Sequence, residues 1–275
     1  MKFLTKVLLA GTAVAVAKGL DNRLEISHYF VESGNLTDEF NNFRILHLSD
    51  FHCDKSAGLV DAIKNEEPDI ICITGDMTHD TGTYLPFTNL LKQLVKIAPV
   101  YIVSGNHDVW RKDYPQLVEE CRKIGAFVLR DDSIEIIREN AKIVVSGIED
   151  PYAVNHSTVC KRIENSLLQL EKADGFNMLL FHRANLLDYL KDKGFDLILA
   201  GHMHGGQFRI PGVGGVVSPK TNFTSNSRVF FPKYFGGEYA HNNTKMIVSR
   251  GVGNPTILPR IFNRPEICMI TLKKI

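Results

Sequence analysis

Tryptophan is almost missing from this chain, with one in 275 residues, and cysteine is scarce. The five cysteines (Cys53, Cys72, Cys121, Cys160 and Cys268) are odd in number, widely spread and form no C-x-x-C pair. That pattern excludes a disulfide framework. An excess of one charge is lacking too. The 32 Lys+Arg nearly cancel the 31 Asp+Glu, leaving +1, so there is no general nucleic-acid footprint and no nucleic-acid partner is expected. No internal repeat and no low-complexity tract appears, and eight Tyr with one Trp make no aromatic repeat. A hydrophobic share of 44% with 23% charged residues excludes a disordered or collagen-like chain. What remains is enough chain for one sizeable globular domain.

Long apolar runs are absent with one short exception. Lys2 and Lys6 precede the run Val7 to Ala17, which closes on the A-x-A triplets Ala13-Val14-Ala15 and Ala15-Val16-Ala17. A basic start, a short apolar stretch and small residues at its end describe a secretory signal. As a helix the run reaches roughly 16 Å, short of the roughly 30 Å hydrocarbon core. Residues 1–22 are therefore expected to be a signal-like or membrane-tethering segment, placing the protein at the membrane or outside it. An ordinary first helix on a cytoplasmic protein is the alternative. The domain is expected to run from 43 to 275.

From Phe43 onward, apolar runs alternate with helical spacing. Strands are expected at Phe43–Ser49, Asp69–Thr74, Val100–Ser104, Phe176–Phe181 and Leu197–Ala200, with shorter or later ones near Phe127, Ile134–Ile137, Ile143–Ser146, Lys245–Ser249 and Glu266–Leu272. Helices are expected at Ala57–Asn65, Pro86–Ile97, Pro115–Ile124, Ser157–Leu170 and Leu187–Leu190. The alternation argues a layered α/β domain. Five of the strands stop at metal-capable residues: Asp50 and His52, Asp76, Asn106 and His107, His182, and His202 with His204. Ligands of open α/β sheets bind at the carboxyl ends of strands, so a shared sheet would gather these side chains on one rim. Carboxylates, imidazoles and an amide oxygen without thiolates suit Mn, Fe, Zn or a similar divalent ion.

Asp50-Phe-His52, Gly75-Asp76, Gly105-Asn-His-Asp108, His182 and Gly201-His-Met-His204 together resemble the calcineurin-like metallophosphoesterase family, over roughly residues 43 to 273. His204-Gly-Gly-Gln207, Ser249-Arg-Gly-Val-Gly253 and Arg264-Pro-Glu-Ile267 are similar to its membrane-associated or exported bacterial subgroup. The resemblance implies two mixed β-sheets packed as a sandwich between helices, in four layers, with two divalent metals on the rim. It implies one metal on Asp50, His52, Asp76 and His204, and a second on Asp76, Asn106, His182 and His202. Asp76 would bridge them, as a carboxylate with two oxygens can. It further implies a metal-bridging hydroxide attacking a phosphoester in line. His107 would donate a proton to the leaving oxygen or hold the phosphate. Asp108 would orient its imidazole, with helix capping as the competing role.

Arg111 and Arg183 are candidates for substrate phosphate. Cys53, directly after His52, reads as a small buried filler. The stretch Gly205 to Asn243 reads as one long irregular loop, rich in Gly, Pro, Phe and Asn. Its aromatics (Phe208, Phe223, Phe230, Phe231, Tyr234, Phe235) among Arg209, Lys220, Arg228 and Lys233 suit a lipid or cell-envelope phosphate at a membrane surface. Phosphodiesters, phosphomonoesters and lipid-linked pyrophosphates remain open as substrates. Two other readings stand beside a hydrolase. A non-catalytic scaffold of the same fold is disfavoured by the complete donor set, and a metal-dependent nuclease by the absence of a basic stripe.

Overall fold

Arg44-Ile-Leu-His-Leu48 carries apolar residues on both faces, and such a run needs cover on both sides. The computed structural model, which describes residues 17–54, 58–151, 156–217, 219, 230–254 and 256–275, shows how that cover is built. One six-stranded sheet has the order β1 (Glu25–Ser33), β14 (Glu266–Lys274), β2 (Arg44–Leu48), β3 (Ile70–Ile73), β4 (Val100–Ile102), β5 (Phe127–Val128). The other has the order β12 (Gly237–His241), β13 (Thr244–Val248), β9 (Leu197–Gly201), β8 (Asn177–Arg183), β7 (Ala141–Gly147), β6 (Asp132–Arg138). A two-stranded hairpin joins β10 (Arg209–Ile210) to β11 (Gly214–Gly215).

Both large sheets are mixed. β2, β3, β4 and β5 run parallel, as do β7, β8, β9 and β13, and antiparallel strands complete each sheet. Parallel neighbours need crossovers, and the helices Leu59–Asn65, Leu85–Leu94 and Tyr114–Ile124 supply them on the first sheet. The apolar residues divide by strand parity. Ile45, Cys72, Val103, Val145, Leu180 and Leu199 fill the space between the sheets. Leu46, Leu48, Ile71 and Ile73 face the first helical layer. Leu179, Ile198 and Val248 pack against His156–Gln169 and Leu187–Leu190 on the other side. The result is the expected four-layer α/β sandwich.

Two features depart from the sequence reading. The sheet opens at Glu25, well before residue 43, because β1 pairs with β14 over nine residues. It is an edge strand, half open to water, so its sequence Glu-Ile-Ser-His-Tyr-Phe-Val-Glu-Ser carries no apolar run. Gly205–Asn243 is not one irregular loop, since it contains the β10–β11 hairpin and β12. Phe223, Lys220 and Arg228 of that stretch lie outside the described residues, as does the apolar run up to Val16. No helix among the described residues is long and apolar enough to cross a membrane.

Candidate metal centre

The parallel strands end together, and their tips bend sharply. Asp50, His52, Asp76, His202 and His204 all have left-handed backbone, with φ of 53°, 49°, 51°, 75° and 47°. Such conformations cost side-chain-bearing residues about 1–3 kcal/mol each and persist where the surroundings over-determine them. The surroundings here are two glycines. A Cβ on Gly105 would overlap the Asp76 carboxylate, and one on Gly201 would overlap Ser49 and Asp50. The Gly-Asn-His and Gly-His sequences let neighbouring strand tips touch, which draws their polar side chains into one place.

Three donor groups result. Asp50, His52 and His204 form one, Asp76, His182 and His202 a second, and His52, Asp76 and His107 a third, each with ligand-type atoms within 4.8 Å of one another. His182 Nε2 stands 3.1 Å from Asp76, His204 Nε2 stands 3.4 Å from Asp50, and His52 Nε2 is 4.0 Å from Asp76. His182 is held by its other nitrogen, with Nδ1 2.7 Å from the Thr74 carbonyl, which leaves Nε2 facing the site. Asp50 accepts the His202 backbone N–H at 3.1 Å, and Asp76 accepts that of His107 at 2.8 Å. Asn106 is buried at the start of the short helix Asn106–Val109.

Most of these groups are buried yet unsatisfied. Among the described residues, both ring nitrogens of His52, Nδ1 of His204, Nε2 of His202, Nδ1 of His107 and Oδ1 of Asn106 have no hydrogen-bond partner. Each such atom costs about 1–3 kcal/mol if left alone, so a cluster of them asks for a ligand. Burial lowers the pKa of His52 to about 4 and holds His202 and His204 well below the usual histidine range. These rings are neutral at pH 7, the state that ligates a cation. His182 behaves oppositely. Burial pulls it down, but the charge and hydrogen bond of Asp76 outweigh that and raise it to about 9. Burial would raise Asp76, yet His182 and His52 carry it well below the ordinary carboxylate value. Burial, with repulsion from Asp76, lifts Asp50 to about 6 against the pull of His182. The two carboxylates therefore hold a strong negative field, and the donor set fits divalent cations.

Three residues read as catalytic or phosphate-facing have other work. The Asp108 carboxylate accepts the Gly105 N–H at 2.9 Å and the Thr78 N–H and hydroxyl at 3.0 and 2.9 Å. It caps its own helix and ties down residue 78, and it does not orient His107, whose Nδ1 has no partner. Arg111 is buried, donating to the carbonyls of His79 and Gly82 and to Asp113. Arg183 is buried in a two-pronged pair with Asp150 at 2.6 and 3.0 Å. Both arginines are drawn inward because carbonyls and a carboxylate from distant segments surround them. Cys53 packs half-buried with its thiol 3.7 Å from the Met77 carbonyl, as a filler would. Two mouth residues escaped the sequence reading. Trp110 sets its ring edge-on to His107 at 5.0 Å, and the exposed His79 ring lies 5.3 Å from His52. Neither sits in a motif, so nothing in the sequence singled them out.

Comparison with known sequences agrees with this geometry. Residues 43–206 match the calcineurin-like phosphoesterase family. The chain is 28% identical over 232 residues to the uncharacterized metallophosphoesterase YkoQ of Bacillus subtilis strain 168, covering 81% of each chain. It is 29% identical over 240 residues to the phosphodiesterase YaeI of Escherichia coli K12, covering 84% of this chain and 82% of that one. Among solved structures, TT1561 of Thermus thermophilus aligns with a TM-score of 0.49 and 12% identity, over 78% of this chain and 90% of the other. With the donor groups gathered at the strand ends and the family pattern matched across them, this chain belongs to the calcineurin-like phosphoesterase family and is a metal-dependent phosphoesterase.

Proposed function

We propose that the protein hydrolyses phosphoester bonds with two divalent cations, Mn, Zn or Fe. Asp50, His52, Asp76 and His204 would hold one, and Asp76, Asn106, His182 and His202 the other, with Asp76 shared. The observation that carries this reading is the set of buried, unpartnered ligand atoms around two carboxylates at the strand tips. When bound, the cations would supply Lewis acidity, neutralising charge on the phosphoryl oxygens and acidifying a water for in-line attack. The chain's own residues do the rest. Thr74 fixes the His182 ring through Nδ1, and Asp50 pins the His202 backbone. His107 lies half-buried at the mouth with its backbone held on Asp76, where its imidazole donates a proton to the leaving oxygen. A complete donor set disfavours a non-catalytic scaffold, and a net charge of +1 disfavours a nuclease.

The substrate class is a phosphoester, and the name of the YaeI relative favours a diester among the phosphodiester, phosphomonoester and lipid-linked pyrophosphate readings. Metal-stripped protein should regain turnover with Mn, Zn or Fe at two equivalents per chain, and a panel of the three ester types should rank the diester first. Full turnover with one equivalent or none would sink the two-metal reading. Residues 1–22 would direct the chain to the membrane or through it. A chain starting at Asn22 should stay soluble and keep turnover on a small diester, because β1 opens at Glu25 and no proposed ligand precedes Asp50. Recovery of the uncleaved full chain in the soluble fraction would contradict the export reading.

A further inference from the structure

β1 and β14 bring a second feature to the end of the sandwich that carries the donors. Glu25 pairs with Glu266, and β14 runs antiparallel to β2, so both glutamates lie level with the start of the Asp50 turn. Arg250 follows β13 and reaches both, with 3.0 Å contacts to Glu25 and Glu266. Beside it opens a cavity of about 460 Å³ lined by the β10–β11 hairpin, Phe235, Arg250 and Phe262. Arg209 faces this cavity with its guanidinium 5.4 Å over the Phe235 ring. Among the described residues Arg209 has no side-chain hydrogen bond and no salt bridge, while Glu25 and Glu266 make theirs with Arg250. A half-buried guanidinium whose donors are unpaired among the described residues is suited to an anion.

The cavity's border is apolar and wet. Ile210 and Val213, at the two ends of the hairpin turn, are 45% and 63% exposed, and Phe262 is 37% exposed. The chain's N-terminal segment arrives at this corner. The Phe262 N–H donates to the Gly19 carbonyl at 2.7 Å, and Gly19 lies against the Phe262 ring. Gly19, two positions after the apolar run of the sequence closes at Ala17, thus sits next to the cavity and at the end that carries the metal donors. A soluble anion would have no use for that apolar fringe.

We propose that this corner docks on an anionic bilayer, with Arg209 taking a lipid phosphate and Ile210 and Val213 entering the interface. The active end of the sandwich then faces the membrane. The docking needs no turnover, so Asp76→Asn should bind vesicles like the unaltered chain, and failure of this proposal leaves the two-metal reading untouched.

The test is co-sedimentation of the full chain with phosphatidylcholine vesicles, with and without phosphatidylglycerol, each variant first checked by thermal unfolding. Phosphatidylglycerol should raise the bound fraction. Arg209→Gln should cut that rise about fivefold, the contribution of one basic side chain at an anionic surface, and Arg209→Lys should keep most of it. Ile210→Asp with Val213→Asp should lower binding to both vesicle types. Ile137→Asp should change nothing, since that residue is 67% exposed but paired with Lys142 at the opposite end of the sandwich. An unaltered lipid response in Arg209→Gln, or an equal loss in Ile137→Asp, overturns the proposal. So does inorganic phosphate protecting amides 209–214 from hydrogen exchange while vesicle binding is indifferent to Arg209, because the cavity would then serve a soluble anion.

Discussion

A buried aspartate sits at each end of the sandwich, and the two have different surroundings. Asp196, just before β9 at the end away from the donors, accepts the Ser33 hydroxyl at 2.9 Å, the Asn35 amide at 2.8 Å and the Asn177 N–H at 2.8 Å. Those bonds stitch the end of β1 to the start of β8. Asp76, at the other end, accepts one backbone N–H and is otherwise ringed by imidazoles. Several of those rings carry nitrogens with no partner. A carboxylate with all its needs met by protein is holding the fold together. One surrounded by unmet donors is waiting for something the chain does not contain. Burial alone does not distinguish them; the accounting of partners does.

The contrast can be broken most sharply at Asp76. Asp76→Asn removes the charge shared by both proposed cation sites, and turnover should fall at least about a thousandfold, roughly 4 kcal/mol of transition-state stabilisation. Metal content by elemental analysis should fall with it. Two bound metals at normal turnover would show that Asp76 is no bridge. At the far end, Asp196→Ala strands three donors and should cost about 3 kcal/mol of stability, read as a lower urea midpoint. Turnover per folded molecule should hold. If metal content dropped instead, the two ends would not be separable as described. His107→Ala sharpens the comparison within the active end. It should keep both metals while slowing esters with poor leaving groups about a hundredfold, near 2.7 kcal/mol, and activated aryl esters much less. Equal slowing of both would make His107 a phosphate holder, and loss of metal would make it a ligand.

Legibility in the sequence followed burial on two faces. β2, β3, β8 and β9 are buried almost throughout and mostly apolar because they are covered on both faces, so their runs stood out and their ends could be placed within a residue or two. β1 and β12 are edge strands with half-exposed residues, and their polar content hid them. His182 lies inside β8 rather than after it, a shift too small to matter for its placement. The arginines misled for a different reason. Arg111 and Arg183 follow motif residues as a phosphate clamp would, but their partners come from residues 79–82 and 150, which no local pattern connects to them.

The sequence by itself determined the layered α/β class, the positions of its central strands along the chain and the metal-capable residues near their ends, because strand period and Gly-Asp or Gly-His punctuation are local properties of the chain. Tertiary structure alone decided which polar groups would be satisfied. Asp108 became a cap once Thr78 was folded against it, and Arg183 became a buried pair once Asp150 met it. Among the described residues Arg209 makes no salt bridge, while Glu25 and Glu266, distant in sequence and adjacent in the sheet, both pair with Arg250. Partnership across distant segments is set by packing geometry, and packing geometry is what a one-dimensional pattern cannot carry.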